Sequence, residues 1–184
     1  SIDLGWAGLL AHLGIRPADV LRRAGLPEDL FSRDRPTLPP EVFWRLWQAL
    51  TDQLETQAPG LVFVQAMSPE VFSPPLFAAF CSPNLTAALE RLAQYKPLIG
   101  PLHLEVHDTP GGLEVTFGAE PGITLPSEYV GAELAFLVRL ARLASKREIR
   151  PIAVEMVKPP ASGEYALFFG KPVRAGPFNR VVFS

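Results

Sequence analysis

The spacing of apolar residues changes once along this chain, near residue 100, and that change constrains the fold more than any motif. Up to Ile99, apolar residues recur at intervals of three and four; from Leu102 they alternate with polar ones. The first pattern is the buried stripe of a helix and the second the buried face of a strand. We therefore expect an α+β domain. Its N-terminal part, residues 1–100, is mostly helical; residues 101–184 form an α+β part, a small mainly antiparallel sheet with a long packed helix. At 184 residues, 48% of them hydrophobic, the chain suffices for one domain spanning 1–184. No repeat and no long linker divides it.

Within the first part, helices are predicted over Trp6 to Leu13, Pro17 to Ala24 and Glu41 to Leu54. A further short helix follows the turn that begins at Arg23. Proline opens several of these segments and glycine closes them, as helix ends prefer. The chain has 20 prolines, but they are scattered among Phe, Leu and Val, so they punctuate structure and do not mark disorder. Asn84 is a good N-cap for a helix carrying Leu85, Ala88, Leu89, Leu92, Tyr95 and Ile99 on one face, which Pro97 is expected to end or kink. In the second part, Leu102, Leu104 and Val106 pair with Leu113, Val115 and Phe117 across a turn at Asp108 to Gly112. Ser127 is the expected N-cap of a long helix reaching Arg147, whose wide apolar face is a candidate for self-association. Strands are expected at Ile152 to Val157, at Val173 and at Arg180 to Phe183, with a short helix or extended segment over Glu164 to Phe169.

Composition excludes several functions. A net charge of −2 does not suit a domain that binds nucleic acid through a basic surface. Arg139, Arg142, Lys146, Arg147 and Arg150 do cluster late in the long helix, but the helix dipole and an exposed stripe account for them. Arg16 to Phe31 has a helix-turn-helix rhythm without a basic recognition helix. Cys81 is the only cysteine, so there is no internal disulfide and no cysteine metal site, and a reducing cytoplasm is the expected home. No signal peptide is apparent. The uncharged run Val71 to Leu89 is broken by Pro74, Pro75 and Pro83 and reads as buried loop plus helix, not as a membrane span.

His103, Glu105 and His107 share a strand face, which invites a zinc reading. Alternation sets them opposite Leu102, Leu104 and Val106, so a solvated face explains them and no metal is expected. The chain has no GxSxG, P-loop or GxGxxG motif, and no catalytic residue or cofactor is predicted. The aromatic set is the best candidate for a ligand cavity, since such sites are mostly apolar with a few polar anchors. The candidate ligand-binding residues are Trp44, Trp47, Phe77, Phe80, Arg91 and Tyr95. Plain core packing is the leading explanation for each aromatic taken singly, and a solvated helix face explains Arg91 and Lys96, which flank the same helix, as well as a carboxylate anchor does.

The Asn84 helix, with Pro83, Leu85, Thr86, Ala88, Leu89, Leu92 and Tyr95, resembles a helix in the N-terminal regulatory domain of AraC/XylS-type transcription regulators, the branch described as arabinose-binding. Gly14-Ile15, Arg23-Ala24-Gly25-Leu26-Pro27 and Leu38-Pro39 look like that family's opening. Phe169-Gly170-Lys171-Pro172-Val173, Asn179 and Val182 look like its close. The resemblance implies an effector-binding and dimerisation domain, cytoplasmic and homodimeric, that senses a small metabolite. It implies DNA contact only through a C-terminal domain absent from this chain, and no membrane role. The alternatives are a stand-alone enzyme or carrier for a small apolar molecule, and a purely structural dimerisation module.

Overall fold

A computed structural model describes residues 5–34 and 36–184. Among these residues, eight α-helices and five strands follow the expected order. The helical part comprises α1 (Gly5–His12), α2 (Pro17–Arg23), α3 (Pro40–Gln53), α4 (Pro59–Ala66), α5 (Pro74–Phe80) and α6 (Leu85–Ile99). The rest comprises β1 (Leu102–Thr109), β2 (Gly112–Ala119), α7 (Ser127–Ser145), β3 (Ala153–Met156), α8 (Glu164–Phe169), β4 (Val173–Ala175) and β5 (Asn179–Phe183).

The prolines now have a place. α2, α3, α4 and α5 each carry one in their first two positions, where the missing N–H has no intrahelical partner to lose. Gly14 and Gly25, at φ +70° and +69°, turn the chain out of α1 and α2. Asn84 caps α6 as expected, its Oδ1 accepting from Ala87 N at 2.8 Å.

Helices α1, α2 and α3 shift by one residue at one or both ends, and α6 and α7 differ from expectation in ways that have a physical reason. Helix α6 runs through Pro97 to Ile99, although the proline has no N–H to give the Ala93 carbonyl; only the last three residues lie at or beyond that lost bond. Pro126 occupies the N-cap of α7, so Ser127 is its first helical residue. That helix stops at Ser145, with Lys146 turned left-handed at φ 55°, two residues before the expected end. The sequence also did not single out α4 and α5.

The strands form one sheet in the order β1-β2-β5-β3-β4. The β1–β2 hairpin pairs Leu102 with Ala119 and Thr109 with Gly112, so its turn is tighter than the five residues expected. β2–β5 and β5–β3 are also antiparallel, whereas β3 and β4 pair in parallel across the α8 connection, making the sheet mixed. Leu104, Val115, Phe117, Val154, Met156, Val181 and Phe183 are buried in one core with Leu134, Leu137, Val138 and Leu140 of α7. α7 contacts α4, α5, α8, β2 and β5, so the core takes up the apolar face that looked available for self-association.

Candidate functional site

The apolar stripe of α6, the inner face of α3, the start of β1 and the first turns of α7 meet around a cavity of about 210 Å³. The cavity lies on the seam where the helical part joins the α+β part. Its walls are inward-facing residues of these elements, mostly apolar, and their packing leaves the space between them unfilled.

Three of the sequence candidates, Trp44, Trp47 and Tyr95, line this cavity. Phe77, Phe80 and Arg91 are not among its lining residues. Phe77 is half exposed and packs on Phe80, with ring centroids 6.1 Å apart. Phe80 meets Phe72, which in turn reaches Phe136 of α7. Arg91 Nη1 donates to the Ala78 carbonyl at 2.9 Å and so ties α6 to α5. Only Leu76, together with Ser73 just before the helix, brings the α5 region to the cavity.

Tyr129 of α7 organises the aromatic wall. Its ring lies 4.9 Å from Trp44, 5.1 Å from Trp47, 5.8 Å from Phe43 and 6.3 Å from Phe117. Most of these contacts are edge-on, the arrangement favoured by aromatic quadrupoles. Trp6 and Phe63 extend the wall, 5.4 Å apart.

The cavity holds one ion pair. Lys96 Nζ donates to Glu133 Oε2 at 2.5 Å, and the two side chains are only 12% and 14% exposed. The ammonium also lies 5.6 Å from the Phe117 ring centroid, a favourable cation–π position. Burial, and then the charge and hydrogen bonding of Glu133, push the Tyr129 hydroxyl well above the ordinary tyrosine value, so it stays a neutral donor. Ser73, 7% exposed, is also a lining residue, and its Oγ has no hydrogen-bond partner among the described residues.

Tyr129, Glu133 and Ser73 went unmarked in the sequence, although a signal existed for one of them. Glu133 is the sole charge between Tyr129 and Val138 in a helix otherwise apolar there, and a buried carboxylate needs a partner. Lys96 falls four residues after Leu92 and three before Ile99, on the same stripe, so helical spacing already turned it inward. Nothing in the sequence pairs it with a residue 37 positions away.

The other candidates are placed elsewhere. Glu105 and His107 are exposed on β1, 3.5 Å apart. Among the described residues, no group of three or more His, Cys, Asp or Glu is positioned to hold a metal ion. Two of the basic cluster point inward. Arg139 donates to the Met67 carbonyl, and Arg142 donates to the carbonyls of Ile149 and Phe168. No described helix is long and apolar enough to cross a membrane. A second, shallower cleft lies behind Trp47, lined by polar groups including Gln48, Asp52 and Glu128.

Comparison with known proteins agrees with the resemblance read from the Asn84 helix. A family model described as the arabinose-binding domain of AraC transcription regulator, N-terminal, matches residues 14–184. Among solved structures, the fold is similar to the crystal structure of transcriptional regulator CdpR from Pseudomonas aeruginosa, with a TM-score of 0.57 at 14% sequence identity. That likeness covers 100% of this chain and 55% of the other, and at such identity it concerns the fold alone. No curated protein matches the sequence.

Proposed function

The chain belongs to the family of N-terminal arabinose-binding domains of AraC transcription regulators, a family of regulatory domains and not of enzymes, and from that premise we propose that its seam cavity receives a small-molecule effector. The observation that carries this reading is a cavity of about 210 Å³ walled by Trp44, Trp47, Phe43 and Tyr129, with few polar groups. Ligand sites are usually of this kind. The family description names arabinose, but a pentose carries several hydroxyls and would leave most of them unpaired against these aromatic walls. We propose an effector with a mainly apolar body.

Under this reading the effector bridges the two parts of the domain, since its contacts fall on α3, α6, β1 and α7 together. A ligand shifts a conformational equilibrium only by binding one state more tightly. A seam is where such a preference arises, because closing the two parts around the ligand adds contacts on both sides. The shift would reach a self-associated state of the domain and, through it, a DNA-binding region outside these 184 residues. Trp44, Trp47 and Tyr95 are the proposed contact residues from the sequence set.

A thermal-shift screen of the 184-residue chain against small cytoplasmic metabolites, followed by sedimentation velocity with the hits, tests this. A hit should raise the melting temperature, quench tryptophan emission and change the sedimentation coefficient, and Trp44→Ala should weaken it at least tenfold. If hits bind undiminished to Trp44→Ala, the effector site lies elsewhere.

A further inference from the structure

The polar groups of the cavity say more about the ligand than its size does. Lys96 and Glu133 are already joined, so the cavity has no net charge to offer. A carboxylate brought to Lys96 also comes within reach of Glu133, and an ammonium brought to Glu133 comes within reach of Lys96. Attraction and repulsion then largely cancel while the cost of stripping water from the ligand's charge remains. Neutral groups escape that cost. An ammonium has three N–H donors, of which one is committed to Glu133, so Lys96 can still donate to a carbonyl or hydroxyl oxygen.

Ser73 adds a second requirement. Its Oγ is buried without a hydrogen-bond partner among the described residues, although Ser73 occupies the N-cap of α5, where serine usually bonds a backbone N–H. A buried hydroxyl left unpaired costs stability, and such a group calls for an explanation. Pro75 leaves the second helical position without an N–H to give, and the cavity that Ser73 lines is where another partner can come from. As to size, a cavity of about 150 Å³ accommodates benzene, so about 210 Å³ suits one ring with a small substituent or a branched chain of similar bulk.

We infer that the ligand is a small neutral molecule of roughly one substituted ring, with an oxygen acceptor for Lys96 and a hydrogen-bonding group for Ser73, and that carboxylates and amines of the same size are rejected. This rests on the reading of the cavity as an effector site. It reverses the sequence-based suggestion that the α6 cations anchor a carboxylate, because Glu133 stands in the way.

The test is an NMR titration of the 184-residue chain at neutral pH with five matched probes at millimolar concentration: benzamide, benzyl alcohol, toluene, benzoate and benzylammonium. Benzamide is expected to bind at least tenfold more tightly than benzoate or benzylammonium. The variant Ser73→Ala should melt no lower than the parent, since it removes an unpaired hydroxyl, yet bind benzamide at least threefold more weakly while toluene is unchanged. Benzoate or benzylammonium binding as well as benzamide would overturn the inference, as would full benzamide affinity in Ser73→Ala. If toluene binds and the polar groups add nothing, the inference falls and the effector site stands. If no probe perturbs cavity resonances, both fall.

Discussion

Two tyrosine–glutamate pairs sit against α7 and serve opposite ends. In the first, Tyr165 of α8 donates to Glu128 Oε2 at 2.6 Å, and the same oxygen accepts from Gly60 N at 3.2 Å, at the start of α4. The Tyr165 ring is 1% exposed and lies so close to α7 that a Cβ at Gly131 would come within 2.7 Å of it. In the second, Tyr129 and Glu133 are also largely buried, but with Lys96 they border open space and a Ser73 hydroxyl without a partner among the described residues. The same chemistry thus makes a closed lock joining α4, α7 and α8, and a receptive wall one turn further along α7. The difference lies in the neighbours. Glycine at 60 and 131 lets elements close on the lock, while tryptophan, tyrosine and lysine hold the other side apart.

The ion pair should respond most when this contrast is disturbed. Lys96→Met strands Glu133 in an apolar cavity and should cost about 3–5 kcal/mol, whereas Lys96→Met combined with Glu133→Leu should return to within about 1 kcal/mol of the parent. Urea denaturation of the three proteins measures this; equal losses in the single and double variants would mean that the pair is well solvated.

At the lock, Tyr165→Phe removes a charge-assisted hydrogen bond and should cost about 1.5–3 kcal/mol. Tyr129→Phe at the cavity should cost only about 1 kcal/mol, because Lys96 still serves Glu133. Equal costs would erase the distinction between a closed and an open site.

Gly131→Ala sharpens the comparison through packing. In an exposed helix this change gains about 1 kcal/mol, but here the added methyl presses on Tyr165, and overpacking costs about 1–3 kcal/mol. A net loss of about 1–2 kcal/mol is expected in chemical denaturation. A gain would show that α8 yields easily.

The pH dependence separates the pairs from the rest of the molecule. Burial, ahead of the neighbouring carboxylate, raises the pKa of both Tyr129 and Tyr165 above the ordinary value near 10. Stabilisation from keeping each phenol neutral is complete below that value. It is lost as pH climbs toward the folded-state value, since only the unfolded chain gives up the proton. Each tyrosine should contribute a slope of about 1.4 kcal/mol per pH unit above pH 10. Melting curves from pH 8 to 11 for the parent, Tyr129→Phe and Tyr165→Phe check this, with each variant flattening the decline.

Much of this architecture was legible in the amino-acid order, because local physics dictates it. Proline at helix starts, glycine at helix ends, the Asn84 cap and the shift from a helical to an alternating period all act within a few residues. They placed α1, α2, α3, α6, α7 and the hairpin to within a residue or two. The same locality explains the misses. Helices α4 and α5 are short and nearly uncharged, so no polar face marks their period. Of the aromatic candidates, Trp44, Trp47 and Tyr95 reached the cavity and Phe77 and Phe80 did not, although all five are apolar and lie on helices.

By itself, then, the sequence determined the elements, their order and which stripe of each turns inward, since those follow from periodicity and caps. Only the tertiary structure decided that Lys96 meets Glu133, that Tyr129 gathers the aromatics of α3 and β2 and that Ser73 is left without a partner among the described residues. Those outcomes depend on how stripes from residues 37 or more positions apart fit together, and on the volume they fail to fill. No local pattern encodes a void.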